Sequence, residues 1–201
     1  MHAAAQIQGL PEADRIVIGE AIRRETEVRD AAFLAAPFRI CGVEIAPLTG
    51  RAFIALEGLE SPFLCGGRPT PADVAIFLWV LSPKFVPHNS FSRRRFFRAC
   101  RKIEFEQAVT EISKLVEDAF QDAPGSGGAQ SPARYTSWLA DLVDILASEY
   151  GWSEDSILDL PLARAFQYLR RIRVRCDPKA IMFNGKSDRA IQAAVLKLRA
   201  N

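Results

Sequence analysis

Side chains that do chemistry are scarce in this chain. Its 201 residues include only two histidines, His2 and His88, and four cysteines, Cys41, Cys65, Cys100 and Cys176, with no CxxC pair. A zinc site would have to gather ligands from scattered places, so no metal and no other cofactor is expected. No GxSxG elbow and no HExxH pair occurs, and no GK[ST] follows Cys65-Gly66-Gly67, which leaves that tripeptide as turn chemistry. His88 has no catalytic company in the sequence. These absences argue against an enzyme. No apolar run approaches the roughly 20 residues of a membrane helix. The opening Met1-His2-Ala3-Ala4-Ala5-Gln6 lacks a basic region leading into an apolar one. No signal peptide is therefore expected, and the chain is expected in the cytoplasm with reduced thiols.

What is present is an ordinary globular composition, 49% apolar and 25% charged, with a net charge of +2 that decides nothing about nucleic acid. The length allows one sizeable core or two small ones. The fold class expected is all-α: an irregular helical bundle in two helical subdomains, 1–122 and 132–201. The small, polar stretch 123–131, containing Pro124-Gly125-Ser126-Gly127-Gly128, is the flexible linker between them.

The segment from Tyr150 to Leu162 organises the second half. Gly151 can take the left-handed conformation that closes a helix, and Ser153 is placed to cap the next one, with Glu154 and Asp155 at its positive end. Trp152 and Ile157 then hold the two positions of a hydrophobic staple. Pro161 suits the first turn of a third helix. Gly151, Trp152, Ile157 and Pro161 form the expected structural pivot, and Trp152 and Trp79 are both expected in the core.

Upstream, residues 11–34 read as a peripheral helix or arm with a thin apolar stripe. Residues 38–45 are β-rich and alternate, either as one side of a small hairpin or as an extended connector. Residues 47–59 fit an amphipathic helix. Thr70-Pro71-Ala72-Asp73 supplies cap, proline and first-turn acid to a helix through Leu81 that is apolar all round and so belongs at the centre of a core. A single long helix is expected over 91–121, and another starting at Ser131-Pro132, whose face includes Trp138, Leu142 and Leu146. A last helix is expected over 187–199. Every charge from Asp141 to Asp159 is negative and every charge from Arg164 to Arg175 positive, which suits antiparallel neighbours.

Two surfaces are candidates for function. Arg93, Arg94, Arg95, Arg98, Arg101 and Lys102 form a basic cluster that reads as a phosphate-binding patch or as a solvated helix end. Together with the basic segment Arg164–Arg175, the patch carries an alternative reading, a DNA-associated phage or chromosomal protein, for which only weak, non-specific binding is expected. A helix-turn-helix over 153–175 is disfavoured: its first helix is short, and the second opens with Leu162 and Ala163 where polar side chains would have to reach bases.

The other surface follows from a resemblance. Leu48-Thr49-Gly50-Arg51-Ala52-Phe53-Ile54-Ala55-Leu56-Glu57-Gly58-Leu59-Glu60-Ser61-Pro62-Phe63 is followed by Gly66-Gly67, by Pro69-Thr70-Pro71-Ala72-Asp73-Val74 and by Trp79-Val80-Leu81-Ser82. With Tyr150-Gly151-Trp152 and Asp159-Leu160-Pro161-Leu162, these stretches resemble the tail assembly chaperones of long-tailed bacteriophages and prophages. The arginine-rich run and residues 187–199 lie outside the resemblance. The resemblance implies a helical, non-enzymatic protein of the bacterial cytoplasm, not retained in the mature virion. Its partner would be the tape-measure protein, with other tail proteins as further candidates and no membrane or nucleic acid. The groove lining expected for that partner is 53–63 with 138–146, through Phe53, Leu56, Phe63, Trp138 and Leu142.

Overall fold

A computed structural model describes residues 38–85, 90–123 and 137–176, together with isolated positions between Pro11 and Phe33. The chain is all-α in class: 68% of the described residues are helical and 6% extended. The extended part is a hairpin of β1 (Phe38–Ile40) and β2 (Val43–Ile45), with Phe38 opposite Ile45 and Ile40 opposite Val43. Residues 38–45 thus supply both strands, not one side of a hairpin or a connector. The turn has positive φ at both Cys41 (46°) and Gly42 (80°), the geometry that matches the twist of paired strands. A cysteine at the first of these positions hides the usual Asn-Gly signal.

Helices α1 (Gly50–Gly58) and α2 (Pro62–Cys65) lead to α3 (Pro71–Val80), the centre of the fold. Thr70 caps α3 by accepting from the Asp73 amide while the Asp73 carboxylate accepts from the Thr70 amide, and Pro71 takes the first turn. Val74, Ala75, Phe77, Leu78, Trp79, Val80 and Leu81 are all buried, as an unbroken apolar sequence requires. Helices α1, α4 (Ser90–Cys100) and α5 (Phe105–Ala119) surround it.

The long helix expected over 91–121 is two helices. Glu104 breaks it by capping α5, its carboxylate accepting from the Gln107 amide at 2.9 Å, while the Lys102 and Ile103 amides turn back to Ala99 and Cys100. The apolar residues stay in phase across the break, which is why periodicity alone reads one helix. The next described helix, α6, runs Trp138–Tyr150 with Ser137 as its cap, whereas the start expected at Ser131-Pro132 lies outside the described residues. The 187–199 helix and His88 lie outside them as well.

Gly151 ends α6 in the left-handed conformation (φ 68°), and Ser153 caps α7 (Glu154–Leu158) by accepting from Ser156. Helix α8 (Leu162–Cys176) begins just after Pro161, whose carbonyl accepts from Ala165 at 3.0 Å. Its stripe of Leu162, Ala165, Phe166, Leu169 and Ile172 is buried against α5 and α6. Of the 123–131 stretch, all but Ala123 lies outside the described residues, and the parts on either side share one buried cluster that runs from Ile40 to Ile172. The pair Asp122–Arg170, 2.7 Å with the acid nearly enclosed, joins them at one edge. Fully buried members such as Leu56, Phe77, Leu78, Ile112 and Leu146 each contribute about 1.5–3 kcal/mol by leaving water.

Candidate functional site

Three places in the fold gather the residues singled out by sequence. The first is the seam between α1 and the α7–α8 turn. Thr49 bridges Pro161 in an antiparallel pair, and the Leu162 amide donates to the Leu48 carbonyl at 2.9 Å. Arg51 then reaches Asp155 in α7 and Asp159 just after it, Nε donating to Asp159 at 2.7 Å and Nη2 to Asp155 at 2.8 Å. Hydrogen bonding to Asp159 first, then Asp155, holds the guanidinium pKa above its usual value. Ile157 is buried, Gly151 takes the left-handed position that ends α6, and Pro161 stands just before α8 rather than inside its first turn. Trp152 departs from expectation: it is half-buried, stacked on Tyr150 at 4.8 Å and edge-on to Tyr168 at 5.1 Å. The ring bridges the end of α6 and the middle of α8 at the edge of the fold, whereas Trp79 is 4% exposed and lies in the core.

The second place is an aromatic cluster where the end of α5 meets α6 and α8. Phe53 from α1 contacts Trp138 at 4.9 Å between centroids, and Phe120 contacts Phe53, Trp138 and Phe166 at 5.5–5.9 Å. Beside it opens a cleft of about 420 Å³, lined by Phe120, Trp138, Leu142, Ile145, Phe166 and Leu169, with Asp141, Asp144 and Arg173 supplying charge. Of the residues expected to contact a partner, Trp138 and Leu142 line this cleft. The others do not. Phe53 (7% exposed) supports Trp138 from beneath, Leu56 (0%) is core, and Phe63 packs on Phe77 at 5.3 Å. Phe120, Phe166 and Leu169 are the large apolar lining residues that the sequence reading missed. The signal for Phe166 was available in the apolar stripe of α8, four residues after Leu162.

The third place is the exposed face of α4 and the turn after it. Arg93, Arg94, Arg95, Arg98, Arg101 and Lys102 are all exposed there, as expected for a patch. The opposite side of α4 sets Phe96 against Trp79 at 5.2 Å and half-buries Cys100, whose thiol is pushed up to about 11 by burial. The expected pairing of acidic and basic C-terminal segments is realised by Glu149 with Arg175, whereas Arg170 turns to Asp122 and Asp155 and Asp159 are taken by Arg51.

Among the described residues no three His, Cys, Asp or Glu side chains come together as a group able to hold a metal ion, and no described helix is long and apolar enough to cross a membrane. No protein family, curated protein or solved structure matches the chain.

Proposed function

We propose that this chain is a non-enzymatic tail assembly chaperone that holds an apolar helical stretch of a phage tape-measure protein until tube subunits surround it. The observation that carries the reading is the cleft between α5, α6 and α8, floored by Phe120, Trp138, Leu142 and Phe166. Its volume of about 420 Å³ falls within the roughly 300–1,000 Å³ of ordinary binding sites. That is room for a few large side chains and not for a whole helix. A partner helix would lie across the opening and insert apolar residues at i, i+3 and i+4 spacing. Trp138, 36% exposed at the first turn of α6, is the lining residue best placed to meet it. The resemblance over 48–82 and 150–162 supplies the identity of the partner, the bacterial cytoplasm as the place of action and the protein's absence from the mature virion.

Co-expression with the tape-measure protein tests the reading. The partner is expected to be more soluble in the presence of this chain and to co-purify with it. The complex should change little with salt, because apolar burial is not screened. Ile145→Glu places a carboxylate in the lining and is expected to abolish co-purification while leaving the helical circular dichroism spectrum intact. A tape-measure protein equally soluble with and without the chain, and not retained by it, would refute the proposal.

A further inference from the structure

The basic face of α4 is not explained by the cleft. We propose that it binds duplex DNA through the phosphate backbone, without reading sequence. No acidic residue occurs between Ser90 and Ile103, while six cations occupy 93–102. Several cations elsewhere are matched with acids, Arg51 with Asp155 and Asp159, Arg170 with Asp122 and Arg175 with Glu149, and those that are not, such as Arg68 and Lys84, stand apart from the cluster. Among the described residues none of the six α4 cations has an ion pair or hydrogen bond from its side chain. Their arrangement is unfavourable in isolation. Arg94 and Arg98 are like charges one turn apart, and Arg93 stands near the positive end of the helix dipole. An anion lying along the face would relieve both.

The surroundings select the anion. A protein partner needs apolar area at the centre of its contact, and the exposed side of α4 has only Ala99 between the arginines. Single strands need exposed rings on which to stack bases, and the rings of this face among the described side chains, Phe96 and Phe97, are half-buried. A lipid surface needs apolar side chains to insert beside the charges, and among the described residues this face offers only Ala99. A regular array of phosphates needs only cations. At 1.5 Å per residue the helical cations Arg93 to Arg98 span about 8 Å, the length of roughly two to three phosphates along one strand, and Arg101 and Lys102 extend the cluster in the turn that follows. Phosphate contacts fix position but carry no sequence information, which is why binding without preference is expected.

The proposal stands on α4 alone, so it succeeds or fails independently of tape-measure binding. The test is fluorescence anisotropy of a labelled mixed-sequence duplex titrated with the full chain over a salt series. For four to six phosphate contacts, affinity should fall about 10²–10³-fold between about 50 and about 200 mM salt. The triple substitution Arg94→Ala, Arg95→Ala, Arg98→Ala should reduce the slope of log affinity against log salt by about 2.7, at roughly 0.9 per contact. Replacing the same three by lysine should preserve the slope. Removing three exposed cations elsewhere, Arg39→Ala, Arg68→Ala and Arg171→Ala, should leave it unchanged. Circular dichroism checks that each variant is folded. The proposal is overturned if the wild type does not bind at about 50 mM salt, or if the distant triple variant loses as much as the α4 variant. It is also overturned if phosphatidylserine vesicles or polyglutamate bind more tightly than the duplex.

Discussion

Truncating Trp152 to alanine measures how much stability the packing of α6 on α8 draws from one ring. A fully enclosed tryptophan lost in this way costs about 3–5 kcal/mol. Trp152 is half-buried, so about half of that, near 2 kcal/mol, is the burial and cavity contribution. The stacked contact with Tyr150 at 4.8 Å and the edge contact with Tyr168 at 5.1 Å are worth about 0.5–1.5 kcal/mol each when both rings are enclosed. At this partly wet site their lower end applies, and the expected total is about 3 kcal/mol. Trp79→Ala serves as the internal standard. Its ring is 4% exposed and packs on Phe85 and Phe96, so it should cost about 4–5 kcal/mol. Trp152→Phe, which retains a ring for Tyr150 to stack on, should recover at least half of the loss. Urea denaturation followed by far-UV circular dichroism gives all three values on one scale. A Trp152→Ala variant within about 0.5 kcal/mol of wild type would show that the ring is a solvated ornament. One as damaged as Trp79→Ala would show that it is core, and either result would refute the assignment of Trp152 to the edge of the fold.

Two further outcomes follow from local geometry. A Cβ on Gly50 would stand 3.2 Å from Leu158 Cδ2, 3.4 Å from the Leu158 carbonyl and 3.4 Å from Leu139 Cδ2; Gly50→Val should therefore cost about 1–3 kcal/mol, and a thermal melt matching wild type would show that the α1–α7 contact is loose. Burial raises the Cys100 thiol from 9.0 to about 11, so the folded state favours the protonated form: its contribution is complete below about pH 9 and is lost as pH climbs toward 11. Cys100 should alkylate more slowly at pH 8 than the exposed Cys65 and Cys176, read by peptide mass spectrometry, and Cys100→Ala should flatten the stability loss between pH 9 and 11; equal slopes in variant and wild type would count against the burial argument.

Local signals survived into the structure wherever the cause was local. Thr70-Pro71-Ala72-Asp73 caps α3 because a hydroxyl, a missing N–H and an acid each meet a need of the same first turn. Gly151 and Ser153 act for the same kind of reason. The hairpin was legible as β-rich but not as paired, because Cys41 occupies a turn position where asparagine would have announced it. The break at 101–104 was hidden by Glu104, a long side chain that makes a cap without looking like one. The partner surface was least legible. Helical periodicity says that Phe53 and Leu56 face inward but not what covers them, and α3 and the aromatic cluster cover both. The cleft depends on Phe120, Trp138 and Phe166 meeting from three helices, and no single window of sequence contains that meeting.

The seam shows what such windows miss. Thr49, Gly50 and Arg51 read locally as the start of a helix, and Asp155, Asp159 and Pro161 read locally as the end of one helix and the start of another. In the fold they are one unit. The backbone of Leu48 accepts from Leu162, Gly50 lacks a side chain where Leu158 approaches, and Arg51 spans two carboxylates more than a hundred residues away. Each feature has a local reading that is correct and incomplete. Glycine at the first position of α1 is unfavourable for the helix itself, and its value appears only once Leu158 is in place. The exposed Arg51 contributes little to stability as a surface pair, but its two hydrogen bonds tie the start of α1 to α7. The start of α8 is held beside α1 by the Leu48–Leu162 hydrogen bond and the Thr49–Pro161 bridge, one turn before Phe166 in the wall of the cleft. A short-range choice at residues 49–51 thus meets the other half of the chain one turn from a side chain of the proposed binding site.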